Sequence, residues 1–210
     1  MEREQFGKVI AEGIVETGIE GGFDSVSCST AGDYPSIGVS QWEGLNGGRG
    51  DTLLSYIDGG DKFIGRTYSE IINAGEIQDI KDLLGSEQGQ AAQLQILAMD
   101  CADNYADSLI GITAMNPNGD MLEFNDSRGI IYAGMWCPTS TYVVGLFIKN
   151  RIKRGYDVNN LSVLRDLFYD QYTDAAGVGE ANRAGYQNRA QNTYDYVKNL
   201  NLSEYGVMGY

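Results

Sequence analysis

Most of this 210-residue sequence has the spacing of amphipathic helices, and residues 21–50 are the exception. That segment is rich in Gly, Ser, Thr and Asp, and within it Ser36-Ile37-Gly38-Val39-Ser40-Gln41-Trp42 alternates small polar with apolar residues. Such alternation predicts a short hairpin or small sheet inside a long loop. The expected fold is therefore of the α+β class and mainly α, with one small β-hairpin lobe at about residues 21–50.

Apolar residues recur at helical spacing on both sides of the glycine-rich segment. The predicted helices cover residues 4–17, 51–57, 67–73, 77–84, 87–105, 127–135, 141–154, 158–169 and 180–199. Asn116-Pro117-Asn118-Gly119-Asp120 has the composition of a tight turn before the segment 121–124. No Ser/Pro/Gly-rich linker separates these segments, which favours a single domain over residues 1–210.

The chain contains no histidine, which excludes Ser/His/Asp and Cys/His triads and metal sites that need imidazole. Acid–base chemistry must then use carboxylates, tyrosine or lysine. Cys28, Cys101 and Cys137 form no Cys-x-x-Cys pair, so neither a metal nor another cofactor is expected. We expect all three to be reduced thiols that pack as small buried residues.

The 15 Lys and Arg residues against 29 Asp and Glu residues give a net charge of −14. A field of this sign disfavours nucleic acid as a partner. The sequence has no run of eighteen apolar residues and no basic, then apolar, N-terminal leader, so neither stable membrane insertion nor a signal peptide is predicted. The expected product is a soluble chain made inside a cell.

The segment that most suggests chemistry begins at Glu20 and continues with Gly21-Gly22-Phe23-Asp24-Ser25. A carboxyl group that follows an amphipathic helix and lies beside apolar residues is a candidate general acid, because desolvation would raise its pKa. Hydrolysis of glycosidic bonds is the chemistry that commonly uses carboxyl groups alone. Glu16, four residues earlier on the same predicted helix, is the alternative acid.

This order of residues resembles the lysozyme-like superfamily, and within it the muramidases of phage endolysins and phage tail lysozymes. The resemblance rests on Glu20-Gly21-Gly22-Phe23-Asp24, on Gly38-Val39-Ser40-Gln41-Trp42, and on Gly48-Arg49 before Leu53-Leu54, with weaker similarity at residues 183–194. It covers about residues 12–57. It implies a lysozyme-like fold, in which a cleft lies between a helical body and a small β-hairpin lobe, and cleavage of peptidoglycan between N-acetylmuramic acid and N-acetylglucosamine.

When the roles of the family's residues are transferred to the matching positions of this sequence, the resemblance implies that Glu20 is the catalytic general acid and that Ser36 holds the attacking water. Gln41 and Trp42 match the pair that flanks the cleft in the family. With Tyr34, they are the residues expected to bind the substrate.

The second catalytic group is where this sequence departs from the family. Relatives often carry an acidic residue five or six positions before the hydroxyl of Ser36, where this chain has Thr30 and Ala31. The nearest acid is Asp33. Either Asp33 acts as the second catalytic carboxylate or one essential carboxylate suffices, which leaves inversion and retention open.

The implied protein is a bacteriolytic glycoside hydrolase whose partner is the peptidoglycan glycan strand. It would reside in the host cytoplasm before release to the cell wall, or on the virion. The net charge of −14 suits an anionic wall poorly, which suggests a further wall-targeting domain or a virion partner. A lytic transglycosylase and a chitosanase-like glycosidase are alternatives on the same fold, and a non-catalytic virion structural or wall-binding module is the alternative of another class.

Overall fold

A computed structural model describes residues 3–18, 21–29, 31–44 and 47–206 of the chain. Its α-helices are α1 (Arg3–Glu16), α2 (Arg49–Ser55), α3 (Tyr68–Asn73), α4 (Ile77–Gly85), α5 (Glu87–Asp100), α6 (Asp107–Leu109), α7 (Ser127–Gly134), α8 (Cys137–Lys153), α9 (Leu161–Ala176) and α10 (Arg183–Asn199). A π-helix covers Cys101–Ala106, and 3₁₀ turns cover Gly60–Phe63, Glu180–Asn182 and Leu202–Tyr205. The strands are β1 (Val26–Cys28), β2 (Pro35–Ile37), β3 (Trp42–Glu43), β4 (Thr113–Met115) and β5 (Met121–Glu123).

The described chain is mainly helical with two small antiparallel sheets, which confirms the predicted α+β, mainly α class. Contacts divide it into two compact units, one of residues 1–17 with 98–210 and the other of residues 18–97. No helix among the described residues is both long enough and apolar enough to span a bilayer.

The sheet of the 18–97 unit has strand order β1-β2-β3 and lies within the segment 21–50, as the sequence predicts. Ser36 of β2 lies opposite Ser27 and Glu43, and Ile37 lies opposite Val26 and Trp42. Residues in register share a face of the sheet, and successive residues alternate between faces. The sheet therefore has a polar face with Ser27, Ser36 and Glu43, and an apolar face on which Ile37 and Trp42 are buried.

The amide of Gln93 on α5 holds three backbone segments of this unit together. Its Oε1 accepts a hydrogen bond from Val39 N at 3.0 Å, and its Nε2 donates to Phe23 O at 3.1 Å and to Leu84 O at 3.0 Å. The side chain is 0% exposed, so water does not reach these groups. One side chain thus fixes the segment before β1, the turn after β2 and the last turn of α4.

A buried carboxylate has a similar role at the start of α2. Asp51 accepts hydrogen bonds from Gly47 N at 3.1 Å and from Gly65 N at 3.2 Å. It is buried, and it joins the loop before α2 to the loop after the 3₁₀ turn at Gly60–Phe63. Both loops therefore pack against the N-terminal turn of α2.

An aromatic cluster forms the centre of the other unit. The indole of Trp136, between α7 and α8, lies 4.9 Å from the rings of Phe168 and Tyr172 on α9. On α10, Tyr186 packs edge-on against the same indole, and the guanidinium of Arg189 lies over it at 4.8 Å. Aromatic pairs at such distances add about 0.5–1.5 kcal/mol each beyond the burial of their area.

Several boundaries differ from the sequence predictions. The helix predicted over residues 87–105 is α5 followed by the π-helix, and the helix predicted to begin at residue 158 begins at Leu161. Asn160 caps that helix, because its side chain accepts hydrogen bonds from Ser162 N and Val163 N. The turn predicted at residues 116–120 is confirmed, and it joins β4 to β5 in a hairpin that the sequence analysis did not predict.

Two of the three thiols are buried, as predicted, but Cys28 is exposed, so the prediction is wrong for that residue. Cys28 ends β1, which is an edge strand. Burial raises the pKa of the Cys101 thiol well above its ordinary value and raises the pKa of the Cys137 thiol to about 12.

We expect Gln93→Leu to lower the free energy of unfolding by about 2 kcal/mol or more, because it leaves one backbone N–H and two carbonyls buried without partners. Gln95→Leu is the matched control, since Gln95 lies exposed on the same helix. The measurement is urea-induced unfolding followed by circular dichroism. Equal losses in the two variants would contradict the role of the Gln93 amide.

We expect iodoacetamide to modify Cys28 in the native protein while Cys101 and Cys137 stay unmodified, because the thiolate is the nucleophile and burial disfavours it. Mass spectrometry of peptides from native and urea-unfolded protein measures the sites. All three thiols should react in urea. If Cys137 were modified at the same rate as Cys28 in the native protein, the unit that contains the aromatic cluster would have to open under native conditions, which would contradict the burial of this thiol.

Candidate functional site

Two adjoining pockets form a groove in the 18–97 unit. One has a volume of about 430 Å³ and is lined by Gly21, Asp24, Ser25, Val26, Ser27, Gln41 and Lys81. The other, of about 510 Å³, is lined by Phe23, Asp24, Gln78, Lys81, Asp82, Gly85, Ser86 and Gln90. Because Asp24 and Lys81 line both pockets, we call the whole the Asp24–Lys81 groove.

The chemistry of this groove is mostly that of hydrogen bonding. Amide side chains, hydroxyls, two carboxylates and one amine line it, and Phe23 adds an aromatic surface. Sugar rings need such donors and acceptors around their hydroxyls and an apolar surface for their C–H faces. The lining is therefore suited to a polar, hydroxyl-rich ligand.

A tight turn after β2 positions the amide of Gln41 in the groove. Gly38 begins this turn at φ 72°, and Gln41 ends it at φ 51°. The Gln41 Nε2 donates to Gly38 O at 3.0 Å, and its Oε1 accepts from Ser27 Oγ at 3.0 Å. Both ends of the amide are thus fixed over the polar face of the sheet.

Ser36 lies beside Gln41 on that polar face. Its Oγ donates to the backbone oxygen of Gln41 at 2.9 Å and lies 3.4 Å from Gln41 Oε1. The hydroxyl hydrogen of Ser36 is therefore already donated to a hydrogen bond within the turn. Ser36 is buried, with 7% of its surface exposed, and its oxygen keeps lone pairs that can accept a hydrogen bond from a water molecule.

Asp33 and Tyr34 lie in the connection between β1 and β2, away from the turn that carries Gln41. Asp33 Oδ1 accepts hydrogen bonds from Ser69 N and from Ser69 Oγ, both at 3.0 Å, in the first turn of α3. The hydroxyl of Tyr34 donates to Ala31 O at 3.4 Å. These contacts attach the connection to α3 and give the carboxylate of Asp33 a structural partner.

The remaining predicted site residues are Glu20 and Trp42. Glu20 lies outside the described residues, and Gly21, the next residue in the chain, lines the groove. Trp42 is 7% exposed and lies on the apolar face of the sheet, opposite the face that carries Ser36. Its indole therefore packs in the core of this unit and presents only a small edge to a ligand.

A further pocket, of about 570 Å³, belongs to the other unit and has a different chemistry. It is lined by Ser108, Ile112, Thr141, Tyr142, Gly145, Leu146 and Lys149. No carboxylate is among the described residues that line it. The described lining of the Asp24–Lys81 groove, in contrast, includes the carboxylates of Asp24 and Asp82.

Within the part of the chain that the structure describes, no three Cys, Asp or Glu side chains are arranged to hold a metal ion. Comparisons of the chain with protein-family models, with curated proteins and with solved structures found no match. The function is therefore argued from the groove itself.

Sequence reasoning missed Ser27 and Lys81 as lining residues. A signal for Ser27 is present, because Ser25, Ser27 and Ser29 alternate with Val26 and Cys28 in the period-two pattern of a strand with one polar face. Lys81 had no such signal. Its place in the groove depends on which side of α4 turns toward the sheet.

We expect Gly38→Ala to lower the free energy of unfolding by about 2 kcal/mol more than Gly47→Ala does. Both glycines have positive φ, but a Cβ on Gly38 would overlap Gln93 Oε1, whereas one on Gly47 would meet nothing within 4 Å. Urea unfolding of both variants measures the difference. Equal losses would show that the turn after β2 moves away from Gln93 without cost.

Proposed function

We propose that this protein hydrolyses peptidoglycan glycan strands as an N-acetylmuramidase of lysozyme-like fold, with Glu20 as the general acid. The observation that carries the proposal is the Asp24–Lys81 groove, which begins at Gly21 and continues along Ser25, Ser27 and Gln41. Gly21 and Gln41 belong to two of the motifs on which the resemblance to muramidases rests. A groove lined by hydrogen-bonding groups is what a glycan strand requires.

Close packing at Gly21 restricts this position of the groove to glycine. A Cβ at this position would lie 2.9 Å from Gln41 Nε2 and 3.0 Å from Ser25 Oγ. A larger residue would therefore displace the polar groups that line the groove.

In the proposed reaction Glu20 gives its proton to the glycosidic oxygen as the bond from that oxygen to the anomeric carbon breaks. The second step is carried by Asp33 or by a water molecule that Ser36 holds. The bonding of Ser36 to Gln41 supports the latter, because it fixes an acceptor oxygen on the polar face. No metal or organic cofactor takes part, and the partner is the glycan strand of the cell wall.

The proposal also covers the setting in which the enzyme acts. A phage enzyme of this kind waits in the host cytoplasm until it is released to the wall, or it is carried on the virion. A chain with a net charge of −14 would then depend on another domain or a virion partner for its approach to an anionic wall.

One observation favours lytic transglycosylation as a second candidate. The carboxylate of Asp33 is held by Ser69, which supports a mechanism with one essential carboxylate. In that reaction the C6 hydroxyl of the muramic acid attacks its own anomeric carbon, and the product ends in a 1,6-anhydro ring. Mass spectrometry separates the two outcomes, because the anhydro product is one water lighter than the hydrolysis product.

We expect the parent protein to clear a suspension of purified cell walls and Glu20→Gln to clear it at least about 100-fold more slowly, since general acid catalysis contributes that much or more. Glu16→Gln is the matched control, because Glu16 lies exposed at the end of α1 and is the rival acid. It should keep the activity of the parent. Equal clearing by the parent and Glu20→Gln would refute the assignment, and loss of activity in Glu16→Gln alone would transfer it to Glu16.

A further inference from the structure

The polar face of the small sheet carries a second carboxylate, that of Glu43. Glu43 of β3 lies directly opposite Ser36 of β2, which lies opposite Ser27 of β1. Partners across an antiparallel pair have Cβ atoms about 4.5–5.5 Å apart and point to the same side. The three side chains therefore form one row across the sheet.

This row meets the Asp24–Lys81 groove at one end. Ser27 lines the groove together with Gln41, and the amide of Gln41 lies over both Ser27 and Ser36. Glu43 is exposed at the other end, where its carboxylate accepts a hydrogen bond from Ser29 Oγ. That bond uses one oxygen of the carboxylate and orients the side chain along the polar face.

Asp33 does not share this arrangement. Its Oδ1 accepts two hydrogen bonds from Ser69, and its backbone oxygen accepts one from Tyr68 N at 3.3 Å. All three bonds go to the start of α3. The contacts of Asp33 are therefore those of a residue that anchors a loop, whereas Glu43 is the register partner of Ser36, the residue proposed to hold water, and its carboxylate is bonded to Ser29 Oγ.

We propose that Glu43 is the general base that activates the attacking water held at Ser36. This inference rests on the proposed function, since it names the second catalytic group of the same reaction. The Ser36 oxygen accepts one hydrogen of the water, and the Glu43 carboxylate accepts the other.

The proposed hydrolysis requires only the substrate, one water molecule, Glu43 and Glu20. The water oxygen bonds to the anomeric carbon while its proton passes to Glu43, and the bond from that carbon to the glycosidic oxygen breaks as Glu20 protonates the oxygen. Solvent then carries the proton from Glu43 and restores the acid form of Glu20. Because water attacks directly in a single displacement, the configuration at the anomeric carbon inverts.

The test compares Glu43→Gln with Asp33→Asn and with Glu87→Gln, a control at an exposed glutamate of the same unit. We expect Glu43→Gln to lower kcat for wall hydrolysis by about 100-fold or more, since general base catalysis contributes 10²–10⁴-fold, and to leave KM nearly unchanged. Glu87→Gln should stay within about threefold of the parent in kcat, whereas a loss of kcat in Asp33→Asn together with normal kcat in Glu43→Gln would assign the base to Asp33 and overturn the inference.

Three further readouts test the role of Glu43. Formate should restore activity to Glu43→Ala, because a small carboxylate can occupy the space of the lost side chain, and it should have no effect on Glu20→Ala. In Glu43→Gln the rate should no longer fall on the acid side of the pH–rate profile, as it should in the parent. The new reducing end of the parent's product should have the inverted configuration by NMR.

The outcomes distinguish this inference from the proposed function. Loss of clearing in Glu20→Gln together with normal kcat in Glu43→Gln would overturn the role of Glu43 and leave the muramidase proposal standing. A parent product with 1,6-anhydro ends would also overturn it, because no water attacks in that reaction. A parent that does not cleave the glycan would overturn both.

Discussion

The buried amide of Gln93 is the interaction on which the candidate site depends. It joins the segment before β1, the turn after β2 and the end of α4, and all of its hydrogen-bonding groups but one lone pair are used. The turn after β2 carries Gln41, and the segment before β1 contributes Gly21 and Asp24 to the groove. A single buried side chain from α5 thus sets the distance between the two motifs. An unpaired amide at a fully buried position is costly, so these three segments are held in one arrangement.

The alternation of the sheet separates a polar face from an apolar face. Ile37 and Trp42 fill the core side, and Ser27, Ser36 and Glu43 occupy the other side. This division separates the two members of the Gln41-Trp42 pair, since the first lines the groove and the second is buried. Under the proposed function, the polar row would supply a hydroxyl and a carboxylate for hydrolysis of a sugar bond in a chain without histidine.

The helices and the small sheet could be predicted from the sequence because they follow from local periodicity and from glycine-rich turns. The hairpin of β4 and β5 was missed, since its six strand residues are too few to show a period. Gln93 was missed for a different reason. Nothing in its sequence surroundings marks it as buried, and its three partners are 9, 54 and 70 residues away. Lys81 and the row from Ser27 to Glu43 likewise depend on tertiary packing and strand register, which a single sequence does not reveal.

The most direct test of the account is an amide NMR titration of Glu20→Gln with a soluble fragment of alternating N-acetylglucosamine and N-acetylmuramic acid, because this variant should bind the glycan without cleaving it. The account predicts that the largest shift changes occur at residues of the Asp24–Lys81 groove, among them Gly21, Ser27, Gln41 and Lys81. Shift changes centred on the apolar pocket at Tyr142 and Leu146, or none at saturating fragment, would contradict it.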